Sequence, residues 1–267
     1  MAFSFGKMND PDATLFIQVS EITGSTQRGA IVDLVKDLKS NNLWSKMKAI
    51  YPFVGGTAAS HKWNLKDPRD VDAAFRLTFS GGWTHSSTGA KPNGTNGWAN
   101  TYWIPKNQVV LGSASYGIYN RENTSNGLND MAAGLGTFPG AHMALATRLS
   151  NVVYADCWSN NNGRISTTNL DSSGFYCISR TAVNSLKAFR NNVQLGTNTN
   201  TQTQADFDGV SVSMAIACFN STGTPNQLNF NNRECAFAFM GDGLTDADAA
   251  NLYTIVQKYQ TTLGRQV

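Results

Sequence analysis

Charge is scarce in this sequence. Asp, Glu, Lys and Arg together make 15% of the 267 residues, where an average soluble protein has roughly 25%. Only three glutamates occur, Glu21, Glu122 and Glu234, beside three histidines, four cysteines and seven prolines. The net formal charge of +3 is dispersed, without the Lys/Arg run that marks a phosphate-binding patch, so nucleic acid is excluded as a partner. No apolar stretch is long enough to form a membrane-spanning helix, which excludes membrane insertion. The opening MAFSFGKMNDPD lacks a basic segment followed by an apolar core, predicting no signal peptide and synthesis in a cytoplasm.

These shortages also restrict catalysis. Glycoside hydrolysis on a β-sandwich requires two carboxylates about 5–10 Å apart, and no Glu-x-Asp-x-x-Glu strand pattern is present. His61 and His85 fall in polar loops, and His142 falls at an alternating strand position in GAHMALATR. No Gly-x-Ser-x-Gly elbow accompanies them, and the cluster Gly134–Gly140 lacks the spacing of a phosphate loop. The chain therefore reads as non-enzymatic. Cys157, Cys177, Cys218 and Cys235 are separated by 20, 41 and 17 residues in apolar runs, which predicts buried thiols rather than zinc ligands. Asp67, Asp70 and Asp72, like Asp206 and Asp208, lack a calcium-loop pattern and read as caps and turns. No cofactor is implied, and calcium can be assigned to no position. The sequons at Asn93, Asn123 and Asn220 are by-products of an Asn/Thr-rich sequence.

What fills the deficit is small and polar: Asn, Thr, Ser and Gly make up 99 residues. That composition suits short strands joined by tight turns. Residues 1–50 read as a helical appendage. A first helix opens at Pro11-Asp12 and closes at Thr23-Gly24. A second is capped by Ser25 or Thr26 and carries Ile31, Leu34, Val35 and Leu38 on one face; Leu43–Lys48 forms a last helical turn. Residues 51–267 read as one antiparallel jelly-roll sandwich with a C-terminal helix over about 245–263. Its strands lie in runs such as RLTFSGG, VVLGSASYGIYN, AHMALATRLS, VVYADCWS, GFYCISRT, VSVSMAIACF and ECAFAFMG. Asn191-Asn192 is read as a two-residue hairpin turn, Pro68 as a short helix start, and Thr245 with Asp248 as a capping box.

One non-core segment, Gly81–Pro105, concentrates aromatics among turn residues: Trp83, His85, Asn93, Asn96, Trp98, Tyr102 and Trp103. Flat rings flanked by amides suit sugar recognition, because the ring face covers the C–H side of a pyranose while amides satisfy its hydroxyls. The same rings could equally fill the core or anchor a protein interface, and Trp158 in WSNNNG is a smaller candidate of the same kind.

Two long runs carry a family resemblance: LWSKMKAIYPFVGGTAASHKWNLKDPRDVDAAFRLTFSGGWTHSSTGAKPNGTNGWANT and GDGLTDADAANLYTIVQKYQTTLGRQV, with GFYCISRTAVNSLKAFRNN between them. They resemble bacteriophage structural proteins with a concanavalin A-like, or laminin-G-like, jelly roll. The resemblance implies a virion component, whether fibre, tail or head decoration. It further implies a homo-oligomer attached to other virion proteins through its N-terminal helices and contacting a host-surface glycan or receptor through its loops. A capsid cement without a receptor, or a glycan hydrolase on the same fold, are the alternatives. The acidic motif of the glucanase branch is absent.

Overall fold

The computed structural model describes residues 10–125, 128–136, 138–222 and 227–267. Residues 1–9 of the stretch read for a leader, MAFSFGKMNDPD, lie outside them, as does part of the glycine cluster Gly134–Gly140. Among the described residues two sheets face each other. The first runs β13 (Val193–Asn198), β12 (Ser185–Arg190), β11 (Gly174–Ala182), β6 (Ala114–Asn120), β17 (Cys235–Gly241), β4 (Gly89–Pro92) and β3 (Trp83–Ser86), with β1 (Met47–Tyr51) also pairing β17. The second runs β10 (Arg164–Thr168), β9 (Val152–Cys157), β8 (His142–Leu149), β7 (Met131–Leu135), β14 (Ala215–Ile216), β5 (Trp98–Asn100) and β2 (Thr78–Ser80). Beside β7 lies β15 (Phe219–Thr222), which pairs in turn with β16 (Gln227–Leu228). All pairings are antiparallel except β15 with β7. The architecture is a mainly β sandwich with helices near both ends of the chain, as the sequence predicts.

Inward side chains of the two sheets share one core, including Tyr116, Ile118, Ala238 and Met240 from the first and Met143, Leu145, Val153 and Ala155 from the second. A second core lies on the other face of the first sheet. There Tyr119, Phe175, Phe237 and Phe239 meet helices α1 (Pro11–Val19), α2 (Ser25–Ser40) and α6 (Asp246–Thr262). This explains CAFAFMG: every residue of β17 is buried because both of its faces are covered. The helices α3 (Ala58–His61), α4 (Pro105–Gln108) and α5 (Gln204–Gly209) are short connectors.

Several local expectations are corrected. The helical residues do not form a separate appendage: they share a core with the sheet, and the boundary at residue 50 falls inside β1. Gly24, with no side-chain bond, precedes α2, so neither Ser25 nor Thr26 caps it. The turn at 43–48 shrinks to a 3-10 turn, Trp44–Lys46, because Met47 already pairs with Gly241. No helix starts at Pro68; only Asp72–Ala74 turns. VSVSMAIACF breaks into β14 and β15 around Ala217, whose φ of 72° bends the chain. The Asn191-Asn192 turn has φ of 45° and 65°, the left-handed pair that a tight hairpin requires. The Thr245–Asp248 capping box opens α6. No described helix is long and apolar enough to cross a membrane.

Candidate functional site

The aromatic segment folds into strands β3, β4 and β5, and most of its polar groups bond within it or to β2, the buried Trp103 indole N–H being an exception. Trp83 and His85 stack with ring centroids 6.0 Å apart, and Phe79 meets both edge-on. The Trp83 indole N–H points at the carbonyls of Ser80 and Trp98, 3.1 and 3.2 Å away. Asn93 Oδ1 accepts the backbone N–H groups of Thr95, Asn96 and Gly97, while its amide donates to Asn96 Oδ1 at 2.8 Å. Those amides shape their own loop. The Tyr102 hydroxyl lies 3.0 Å from Thr78 Oγ1. Trp103 and Trp158 are fully buried in the sandwich core, the latter donating to the Leu111 carbonyl at 2.7 Å, so neither presents a ring to a ligand. Their reading as ligand contacts is corrected.

His61 is also not in a polar loop but buried, its Nδ1 3.0 Å from Nδ1 of His85. Its Nε2 accepts the Gly56 N–H at 3.2 Å, which makes Nδ1 the protonated nitrogen and His85 Nδ1 the acceptor. Burial, reinforced by the His85 ring and the Arg265 charge, pushes the His61 pKa down to about 3 from 6.5. Between these values the unfolded chain binds a proton that the folded chain refuses. This contribution is therefore intact above pH 6.5 and is lost as pH falls, by up to about 1.4 kcal/mol per pH unit. Urea unfolding between pH 6.5 and 5 should show this slope, and His61→Gln should flatten it. An unchanged slope in the variant would exclude His61 as its source.

All four cysteines are buried. Burial raises Cys157 to about 11 and Cys177 to about 12, and pushes Cys218 and Cys235 up further, so all four thiols stay protonated and unreactive. Among the described residues no group of three or more His, Cys, Asp or Glu is placed to hold a metal ion. Asp67, Asp70 and Asp72 face Arg69, Lys62 and Arg76, and Asp206 closes a capping box at the start of α5.

The more open feature lies on the outward face of the second sheet, against which none of the described long helices packs. Side chains two apart on a strand share a face, so His142, Ala144 and Ala146 of β8 line up beside Tyr154 and Asp156 of β9 and Arg164 of β10. Register fixes one row across five strands: Phe219, Ala132, Ala144, Asp156 and Arg164. Ala146 and Tyr154 form the next row. The alanines make a low floor, and larger side chains rise around it, enclosing a groove of about 380 Å³. Leu128, Asn129, Leu228 and Asn229 close one side. At Gly134 a Cβ would lie 2.2 Å from the Ala141 carbonyl, so only glycine lets β8 approach and place His142.

Polar groups converge there. Asp156 is 1% exposed and receives Arg164 through two bonds, Nε to Oδ1 and Nη2 to Oδ2, each 2.6 Å. The Arg164 guanidinium sits 5.1 Å from the Tyr154 ring centre. His142 lies with Nδ1 3.7 Å from Asp156 and Nε2 2.5 Å from the Leu135 carbonyl, its ring against Phe219. Beneath the floor Tyr116 reaches across the core, its hydroxyl 2.7 Å from the carbonyls of both Ala144 and Asp156. The floor is thus tied to the opposite sheet and preorganised. The sequence places His142 only at an alternating strand position and singles out none of Tyr154, Asp156 and Arg164. The available signal was Tyr-x-Asp at alternate positions of one strand, with an arginine opening the next.

No protein-family model and no curated protein sequence matches the chain. Solved structures match in fold. One is a mutant of Trypanosoma rangeli sialidase displaying trans-sialidase activity, with a TM-score of 0.54 and 10% identity over 85% of this chain and 39% of that one. A second is botulinum neurotoxin type C, whose cell entry is dependent upon interaction with two ganglioside molecules. Its TM-score is 0.54 and its identity 11%, over 82% of this chain and 53% of that one. A third is the binding domain of botulinum neurotoxin DC in complex with rat synaptotagmin II, with a TM-score of 0.51 and 11% identity over 80% and 52%. The chain spans only 39–53% of these proteins, and at such identity the likeness is one of fold: a β-sandwich.

Proposed function

We propose that this chain is a non-enzymatic surface component of a bacteriophage particle, and that it binds a host glycan in the groove over β8, β9 and β10. One observation carries the glycan part: an uncovered sheet face with a floor of alanines between convergent polar side chains. Such a floor accepts the C–H face of a sugar ring, and the surrounding amide, phenol and guanidinium groups suit its hydroxyls. The fold likeness to sialidase and neurotoxin binding domains supports the reading at the level of architecture. The virion setting rests on the resemblance of the long sequence runs. The apolar stripes of α1 and α2 already pack within the chain, so attachment to the particle falls to their polar faces.

Catalysis is disfavoured by the chemistry of the groove. Asp156 is the one carboxylate among its described lining residues and is committed to Arg164. A glycosidase needs a second carboxylate to complete an acid and base or nucleophile pair. Incubation with host polysaccharide should release no reducing ends.

The deciding experiment is a glycan array probed with the multivalent protein and two groove variants. Ala144→Phe fills the floor and Tyr154→Ala removes a wall; each should weaken binding about tenfold or more, ~1.4 kcal/mol, with the fold retained by circular dichroism. Trp83→Ala, at the aromatic segment, should bind like the native chain. Binding that survives Ala144→Phe but fails in Trp83→Ala would move the site to that segment. An array with no hits at native valency would favour a capsid cement without a receptor.

A further inference from the structure

A ligand in this groove meets almost no net charge. Arg164 is the one lysine or arginine, and Asp156 the one carboxylate, among the described residues that line it. They are joined to each other in the two-bond fork by which arginine recognises a free carboxylate. The edge of the guanidinium that would clamp a sialic or uronic acid is therefore already filled from within the chain. Asp156 is 1% exposed, and its backbone carbonyl lies 2.7 Å from the Tyr116 hydroxyl, so it is held where it sits. A second carboxylate entering the groove would find the cation neutralised and a like charge beside it, and would lose water without gaining a partner. What remains for a ligand is uncharged or shared equipment. Arg164 Nη1 and the Tyr154 hydroxyl have no bond to another described residue, and the amides of Asn129 and Asn229 stand at the wall.

Resting on the glycan reading above, we propose that the groove selects an uncharged sugar, a neutral mono- or disaccharide unit, and rejects sialic and uronic acids. Its volume of about 380 Å³ sits near the small end of ligand sites, roughly 300–1,000 Å³. That is consistent with one short segment of a longer polysaccharide. The Asp156–Arg164 pair acts as a specificity filter: the bonds that hold the walls in place also occupy the Nε and Nη2 edge of the one arginine there, and leave Nη1 beside a carboxylate that opposes a second one.

The test uses the full chain and matched glycans that differ only in the acid: lactose against sialyllactose, and a neutral oligosaccharide against its uronic acid counterpart. Neutral members should bind about tenfold or more tightly than acidic ones, and their affinity should be nearly unchanged between low and high salt. Asp156→Asn, which releases the Arg164 fork, should gain affinity for the acidic members. Should that variant fail to fold, the salt series on the native chain decides alone. Acidic glycans that bind as well as neutral ones, with affinity falling as salt rises, would overturn the selectivity while leaving glycan binding standing. Absence of binding to either member of every pair would overturn the glycan reading itself.

Discussion

Asp130→Ala is expected to destabilise the protein by about 3–5 kcal/mol and to weaken ligand binding in the groove as well. Asp130 and Arg233 form an ion pair in which both side chains are completely buried, with Arg233 Nη1 3.1 and 3.0 Å from the two carboxylate oxygens. The carboxylate also accepts from the Asn120 amide at 2.8 Å, the Asn231 amide at 3.1 Å and the Thr147 backbone N–H at 2.7 Å. Arg233 in turn donates to the Thr124 carbonyl at 2.9 Å. Removing the acid leaves a guanidinium buried without its counter-charge and strands three donors at once, so the loss exceeds that of the bond itself. The same network fixes the chain on either side of Asn129 and leads from Asn231 back to Asn229, so the wall of the groove should loosen with it. Urea unfolding gives the first effect and titration with the best array ligand gives the second. The double variant Asp130→Leu with Arg233→Met should recover part of the stability, since no lone charge is then buried. A cost under about 1 kcal/mol for Asp130→Ala, comparable to a surface pair, would mean that water reaches the site.

The strand alternation that places Tyr154 and Asp156 outward on β9 was readable from VVYADC, as were the helices, the Asn191-Asn192 hairpin and the Thr245 capping box. Each of these depends on local spacing, a turn residue or a cap. What could not be read is which sheet face stays open. That depends on α1, α2 and α6 closing over the first sheet from opposite ends of the chain, more than 200 residues apart. Without that knowledge the outward row of the second sheet looks like any solvated strand face. Large rings among turn residues look the same in sequence whether they line a site or brace a corner. Trp103 and Trp158 turned out to be core. The buried Asp130 was equally silent. It occurs in a polar, turn-like stretch, and its partner Arg233 lies far along the chain.

Arg265→Ala should cost several kcal/mol, since hydrogen bonds to a charged group are worth about 1.5–3 kcal/mol each, but without touching the groove. Arg265 follows α6 and is 1% exposed. Its guanidinium donates to the carbonyls of Phe53 at 2.6 Å, Pro52 at 2.8 Å and Ala236 at 2.9 Å, and to Gln260 Oε1 at 2.6 Å. It thus ties the end of the chain to the segment after β1 and to β17, joining the helical layer to the first sheet. Truncation takes the Arg265 donor from the Phe53 carbonyl and leaves the Pro52 and Ala236 carbonyls with only the Tyr259 hydroxyl at 3.1 Å and the Gln260 amide at 3.2 Å. Arg265→Met would restore volume but not those bonds, and Arg265→Lys offers one ammonium where a planar fork serves carbonyls on several sides, so neither should rescue. The Arg265 charge also helps hold the His61 pKa down. Glycan affinity measured well below the unfolding transition should match the native chain, because the groove lies on the far side of the second sheet. Equal losses of affinity in Arg265→Ala and Asp130→Ala would show instead that the two faces of the sandwich are coupled and that general destabilisation, not the groove wall, governs binding.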